Sequence, residues 1–173
     1  MQLARQLTAQ AKNTPLEKAY NNEATRLLSE GKTAEAEEKL RQALQLNPED
    51  SFARYNLGVA LLLGGKYPDA IAELRTYLAT SPDDPDALYY LGLALMPEGL
   101  NNEAIAGLEK VVGQRLNDAR AHNALGVALA RAGRFSQAAA EISTARRLEP
   151  DTTMYQTNLA CIEKHLQNCT PSL

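Results

Sequence analysis

The sequence predicts an all-α fold built as a stack of antiparallel helix pairs, and three observations predict it. The 173 residues are 45% hydrophobic but only 5% aromatic, with no Trp. Ala and Leu dominate the apolar set, and both are strong helix formers with little taste for strands. Gly31, Gly65, Gly99 and Gly133 recur every 34 residues, as do Ala36, Ala70, Ala104 and Ala138, and Leu40, Leu74, Leu108 and Ile142. Pro48, Pro82 and Pro150 keep this register, with Leu116 in the skipped slot, and Gly58, Gly92 and Gly126 each follow a leucine. Several ladders sharing one period are the mark of a repeat architecture, in which each unit buries its apolar face only against its neighbours.

Each element has a local reason. Helices are predicted near 2–12, 16–30, 33–46, 51–64, 67–79, 85–96, 101–112, 118–132, 135–147 and 152–167. Thr14-Pro15 and Asp84-Pro85 read as an N-cap followed by Pro at the first helical position. The glycines at 31, 65, 99 and 133 stand where the first helix of each pair stops and the chain turns left-handed. Gly58, Gly92 and Gly126 lie within first helices, where a missing side chain lets the second helix approach, with Ala70, Ala104 and Ala138 as its small partners. Pro48, Pro82 and Pro150 follow the second helix, where a missing N–H costs least. The third unit departs twice: Pro97 falls in the last turn of its first helix, and Gly113 and Leu116 occupy the end of its second. A frayed helix end and a looser connection are expected there, or a local change of curvature. Leu3, Leu7 and Ala11 at the front, and Met154, Leu159, Ile162 and Leu166 at the back, form apolar stripes suited to closing the stack.

Tyr55-Asn56-Leu57-Gly58 and Tyr89-Tyr90-Leu91-Gly92, followed by Gly, Ala, a large apolar residue and Pro at fixed offsets, resemble the tetratricopeptide repeat (TPR) family. The resemblance divides a single domain, 1–173, into a capping helix (1–16), repeats (17–50, 51–84, 85–118 and 119–152) and a C-terminal capping helix with its tail (153–173). It implies a TPR α-solenoid, a right-handed superhelix whose concave groove holds a partner's peptide segment or amphipathic helix. The groove positions of the family fall here on Asn21 in the first unit, on Phe52, Tyr55, Asn56, Val59 and Leu62 in the second, and on Tyr89, Leu93 and Met96 in the third. In the fourth they fall on Arg120, Asn123 and Arg131. The central units offer an apolar strip and the flanking ones a polar rim, the composition of a binding hot spot. Val59, Leu62 and Leu93 also suit helix–helix packing. The asparagines are candidates for hydrogen bonds to a partner's backbone. The clamp with which some TPR proteins grip a chaperone's C-terminal carboxylate does not map: its slots hold Asn21, Thr25, Asn56, Asp86 and Tyr90, or, one unit later, Tyr55, Val59, Tyr90, Arg120 and Ala124. Residues 122–130 resemble in style TPR proteins of bacterial secretion, pilus or envelope assembly. The second reading is a self-assembling structural protein, with a monomer or weak homo-oligomer expected.

Charge and chemistry narrow the field. With 18 Lys+Arg against 21 Asp+Glu the net charge is -3, which supplies no basic field for nucleic acid. Glu23, Glu30, Glu35, Glu37 and Glu38 crowd the first unit and Arg115, Arg120, Arg131, Arg134, Arg146 and Arg147 the last two. These are ordinary solvated faces, or a basic patch that orients an acidic ligand. No apolar run approaches a membrane span, and the first residues lack the apolar core of a signal peptide. The cytoplasm is therefore expected, with a periplasmic or envelope site as the alternative if a leader has been removed. No nucleophile–base pair or phosphate loop stands out, so neither catalysis nor a cofactor is expected, and His122 reads as a packed histidine. Cys161, His165 and Cys169 stand four apart. That spacing suits inert thiols, a tail disulfide if the helix ends near 166, or an incomplete metal pair, for which no fourth ligand is evident.

Overall fold

The computed structural model describes residues 15–163. Its contacts group into two compact units, Met1–Pro82 and Asp83–Leu173. The first contains α1 (Pro15–Ser29), α2 (Thr33–Leu46), α3 (Ser51–Leu63) and α4 (Tyr67–Leu78). The second contains α5 (Pro85–Leu95), α6 (Asn101–Gln114), α7 (Ala119–Arg131), α8 (Phe135–Leu148) and α9 (Thr153–Glu163). The described residues form no strand. The helix expected over 2–12, the Thr14 cap and the segment beyond 163 lie outside the described residues.

Within each unit consecutive helices pack on one another, and first helices also touch: α1 with α3, α5 with α7, and α7 with α9. Aspartate sets where they start. Asp50, Asp84 and Asp118 each precede a first helix, and their Oδ1 atoms accept from the backbone N–H groups two and three residues on, at 2.9–3.1 Å. Each satisfies donors the helix leaves orphaned. The ends follow the glycine ladder. Gly31, Gly65, Gly99 and Gly133 have φ of 74, 73, 75 and 76°, the left-handed backbone that other residues resist. The next N–H reaches back to close the end, as Lys66 N does to the Leu61 carbonyl at 2.9 Å.

The core is thin and layered. Leu40, Leu74, Leu108 and Ile142 are all 0% exposed, and each contributes on the order of 1.5–3 kcal/mol by burial. In the second to fourth repeats these large residues are what the helical glycines make room for. A Cβ on Gly58 would meet Leu74 Cγ at 2.7 Å, and one on Gly92 would meet Leu108 Cγ at 2.8 Å. The alanines at 70, 104 and 138 were the expected partners. They are fully buried as well, but the tightest contact comes one turn later on the second helix.

Pro97 acts as its chemistry requires. α5 stops at Leu95, whereas α3 and α7 run to Leu63 and Arg131, the positions in register with Pro97. Without an N–H at 97 the ladder cannot continue. Gly113 does not fray its helix: α6 runs through it to Gln114 and matches α2 and α8 at 14 residues. One glycine's propensity cost of about 1 kcal/mol is offset by Ile105, Leu108 and Val111, all buried on the same helix.

Candidate functional site

The first unit presents one candidate face on α1 and α3. Phe52, one residue into α3, is 70% exposed. Tyr55 is half-buried and packs tilted on Tyr77 of α4, ring centroids 5.3 Å apart. Asn56 Nδ2 donates to Asn21 Oδ1 at 2.8 Å, tying α3 to α1. Leu62 is half-buried, whereas Val59 is buried at 9% exposure in the helix packing. In this unit Phe52, Tyr55 and Leu62 therefore keep a solvated side along α3, which also carries Asn56 of the half-buried asparagine pair.

The second unit presents the counterpart on α5 and α7. Tyr89 and Tyr90 meet edge to face with centroids 5.5 Å apart. Burial pushes the Tyr89 phenol above its usual range, while the charge of Arg120 pulls the other way. Leu93 is half-buried. The Arg120 side chain is 70% exposed and lies 3.9 Å from Asp118, a loose pair beside the helix cap. Asp86, at the head of α5, accepts two hydrogen bonds from the Arg115 guanidinium at 2.7 and 2.8 Å. That clasp holds its carboxyl below the usual carboxylate range.

Three residues expected on this face are spent on the fold. Met96, the C-cap of α5, keeps helical backbone angles and is buried at 1% exposure. The Arg131 Nη2 donates to the Met96 carbonyl at 2.8 Å, which also accepts from the Gly99 N–H at 3.1 Å at the shortened end of α5. Asn123 is 2% exposed, and its Oδ1 accepts from Asn158 Nδ2 on α9 at 2.9 Å. This pair repeats the Asn21–Asn56 bridge with the same separation of 35 residues. Replacing Asn123 by Ala leaves the buried Asn158 amide short of a partner and is expected to cost about 1–3 kcal/mol. Asn56→Ala, at the half-buried pair, costs less, and denaturant midpoints at unchanged slope measure both.

The crowded charges are largely paired. Arg26 holds both Glu23 and Glu30, and Glu37 takes both Arg41 and Lys66. His122 is buried at 8% exposure; its Nδ1 lies 2.7 Å from Glu141 Oε2 and its Nε2 3.1 Å from the Leu116 carbonyl. In register two repeats earlier, Arg54 donates to Glu73 Oε2 at 2.8 Å and to the Pro48 carbonyl at 2.7 Å. Cys161 is disulfide-bonded, which corrects the reading of an inert thiol; His165 and Cys169 lie outside the described residues. Among the described residues no cluster of His, Cys, Asp and Glu could hold a metal ion, and no helix is long and apolar enough to cross a membrane. Of the aspartate caps only Asp84 is named by the sequence reading, although Asp50, Asp84 and Asp118 stand 34 residues apart and that spacing is the signal for all three. The asparagine bridges were not legible, because a pair offset by 35 residues joins different positions of successive units.

Comparisons with known proteins agree on this architecture. Two family models, both described as tetratricopeptide repeat, match residues 21–85 and 61–126. No curated protein matches the chain in sequence. Among solved structures, MamA (residues 41 to the end) from Desulfovibrio magneticus RS-1 is 26% identical with a TM-score of 0.81, over 88% of this chain and 86% of that one. YrrB, described as a TPR protein with an unusual peptide-binding site, is 23% identical with a TM-score of 0.71, over 86% of this chain and 77% of its own. PilF of Pseudomonas aeruginosa is 22% identical with a TM-score of 0.75, over 87% and 68%.

Proposed function

Because this chain belongs to the tetratricopeptide repeat family, we propose that it is a non-catalytic scaffold that holds a partner's peptide segment or amphipathic helix against its first helices. One observation carries the reading. Phe52 stands 70% exposed at the head of α3, about one turn before a tyrosine anchored on Tyr77, with the half-buried Leu62 further along the same helix. A rigid aromatic with one free face is the usual energetic anchor of a protein interface. Tyr89, Leu93 and the exposed Arg120 offer a similar set in the second unit, with the cation suited to a carboxylate on the partner. Arg120 adds orientation and on-rate more than affinity, so partner association slows as salt rises. The host process in this reading is bacterial secretion, pilus or envelope assembly, after the style of residues 122–130.

The test is affinity capture from the native host with a Phe52→Ala/Tyr55→Ala variant as control. Phe52 is solvated and Tyr55 only half-buried, so the helical melt is expected to shift little. Partner capture is expected to fall at least tenfold, since each interface aromatic is worth about 2 kcal/mol. Undiminished capture by a folded variant refutes this face as the site. Sedimentation of both proteins reads the self-assembly alternative: a concentration-dependent oligomer that the double substitution dissolves makes the partner a second copy of the chain.

A further inference from the structure

We propose that His122 and Glu141 share one extra proton, and that this proton staples the fourth repeat to the connection before it, so the α6–α7 junction loosens when the proton leaves. Arg54 makes the equivalent pair of contacts two repeats earlier. Its guanidinium gives one N–H to Glu73 on the following helix and another to the Pro48 carbonyl in the preceding connection. It is charged at every accessible pH and has donors to spare for both acceptors. His122 occupies the same register and faces the same two kinds of acceptor, Glu141 Oε2 at 2.7 Å and the Leu116 carbonyl at 3.1 Å.

A carbonyl only accepts, so Nε2 carries a hydrogen. In a neutral ring Nδ1 is then an acceptor itself. It would face a carboxylate oxygen across 2.7 Å with no hydrogen between them. The geometry closes only with one more proton, either on Nδ1 as an imidazolium or on Glu141 as a carboxylic acid donating to the ring. The site is poorly screened, because the two side chains are only 11% and 29% exposed. Glu109 on α6 and Glu141 on α8 line the same cleft, Gln137 is its other polar side chain, and no lysine or arginine lines it. Asp118, at the start of α7, has its Oδ1 spent on the helix cap. In the third repeat the same two positions hold Leu88 and Gly107, so the polar staple is a property of particular junctions.

Imidazole is the side chain that ordinarily changes charge in the neutral range. Native-state hydrogen exchange of the full chain, corrected for the intrinsic effect of pH, is compared at about pH 5.5 and about pH 8.5. Amides of 115–118 and α8 are expected to lose about tenfold in protection at the higher pH as a buried group loses its partner. The Arg54 junction in the same sample is expected to stay level. Two variants separate the proton from mere packing. His122→Arg reproduces the Arg54 arrangement. Glu141→Gln offers an amide N–H to Nδ1, so a neutral ring satisfies both contacts. Both are expected to flatten the profile. A level profile in the unaltered protein, or an equal fall in Glu141→Gln, overturns the proposal, and neither outcome depends on partner binding.

Discussion

Replacing Tyr155 by Ala is expected to destabilise the protein by about 3–5 kcal/mol, the largest loss from any single side chain considered in this chain. Tyr155 is 1% exposed and the bulkiest fully buried side chain among the described residues. It stands in the first turn of α9, the last helix described, which packs on both α8 and α7. Its removal opens a cavity under α9 that the surrounding side chains close only in part. Tyr155→Phe keeps the packing and loses only the hydroxyl's hydrogen bond to Glu149 Oε2, at 3.2 Å. It is expected to cost no more than about 1.5–3 kcal/mol.

The phenylalanine variant also carries a pH signature. Burial, and then the neighbouring Glu149 carboxylate, pushes the Tyr155 hydroxyl up to about 12, whereas a tyrosine in the unfolded chain ionises near about 10. Ionisation is thus harder in the folded state. The stabilisation is fully present below the unfolded value and is lost as pH rises between the two. Denaturant midpoints of the unaltered protein are expected to fall across that alkaline window more steeply than those of Tyr155→Phe. Parallel curves overturn the assignment.

Gly126→Val is expected to be the next most damaging change, at about 3 kcal/mol, read as a lowered denaturant midpoint. Helix propensity alone predicts the opposite sign, because glycine inside a helix is worth about 1 kcal/mol less than alanine. Sterics decides. A Cβ at this position falls well inside contact distance of Ile142 Cγ1 and stands 3.1 Å from the Ala138 carbonyl oxygen. Ile142 is 0% exposed and can adjust only at the expense of its own packing, while the carbonyl belongs to the backbone of α8 and cannot step aside. Gly126→Ala is expected to lie between glycine and valine. Gly113→Ala is the counter-case: nothing lies within 4 Å of its added Cβ, so the propensity gain stands and stability rises by about 1 kcal/mol.

The same comparison shows what was legible in advance. Helix positions, the four left-handed glycines and the glycine close approaches follow from spacing, because each is a backbone rule repeated every 34 residues, while the early stop at Pro97 follows from the chemistry of that one residue. The candidate face was only partly legible. Phe52, Tyr55, Leu62, Tyr89, Leu93 and Arg120 retain a solvated side. Val59, Met96 and Asn123 do not, and Arg131 is committed to the Met96 carbonyl. A groove position in one repeat and its equivalent in the next carry the same sequence label but meet different neighbours. Asn21 and Asn56 remain half-buried while Asn123 is sealed by Asn158.

By itself, then, the sequence determined the repeat, its register and its helix ends, since those depend on φ, on missing N–H groups and on side-chain size at fixed intervals. Which polar groups are free for a partner was decided only by the tertiary structure. A buried donor or acceptor must find a mate wherever the stack brings one within about 3 Å. The mates found here come from other helices or from connecting segments: Asn158 for Asn123, Met96 for Arg131, and Glu141 with Leu116 for His122.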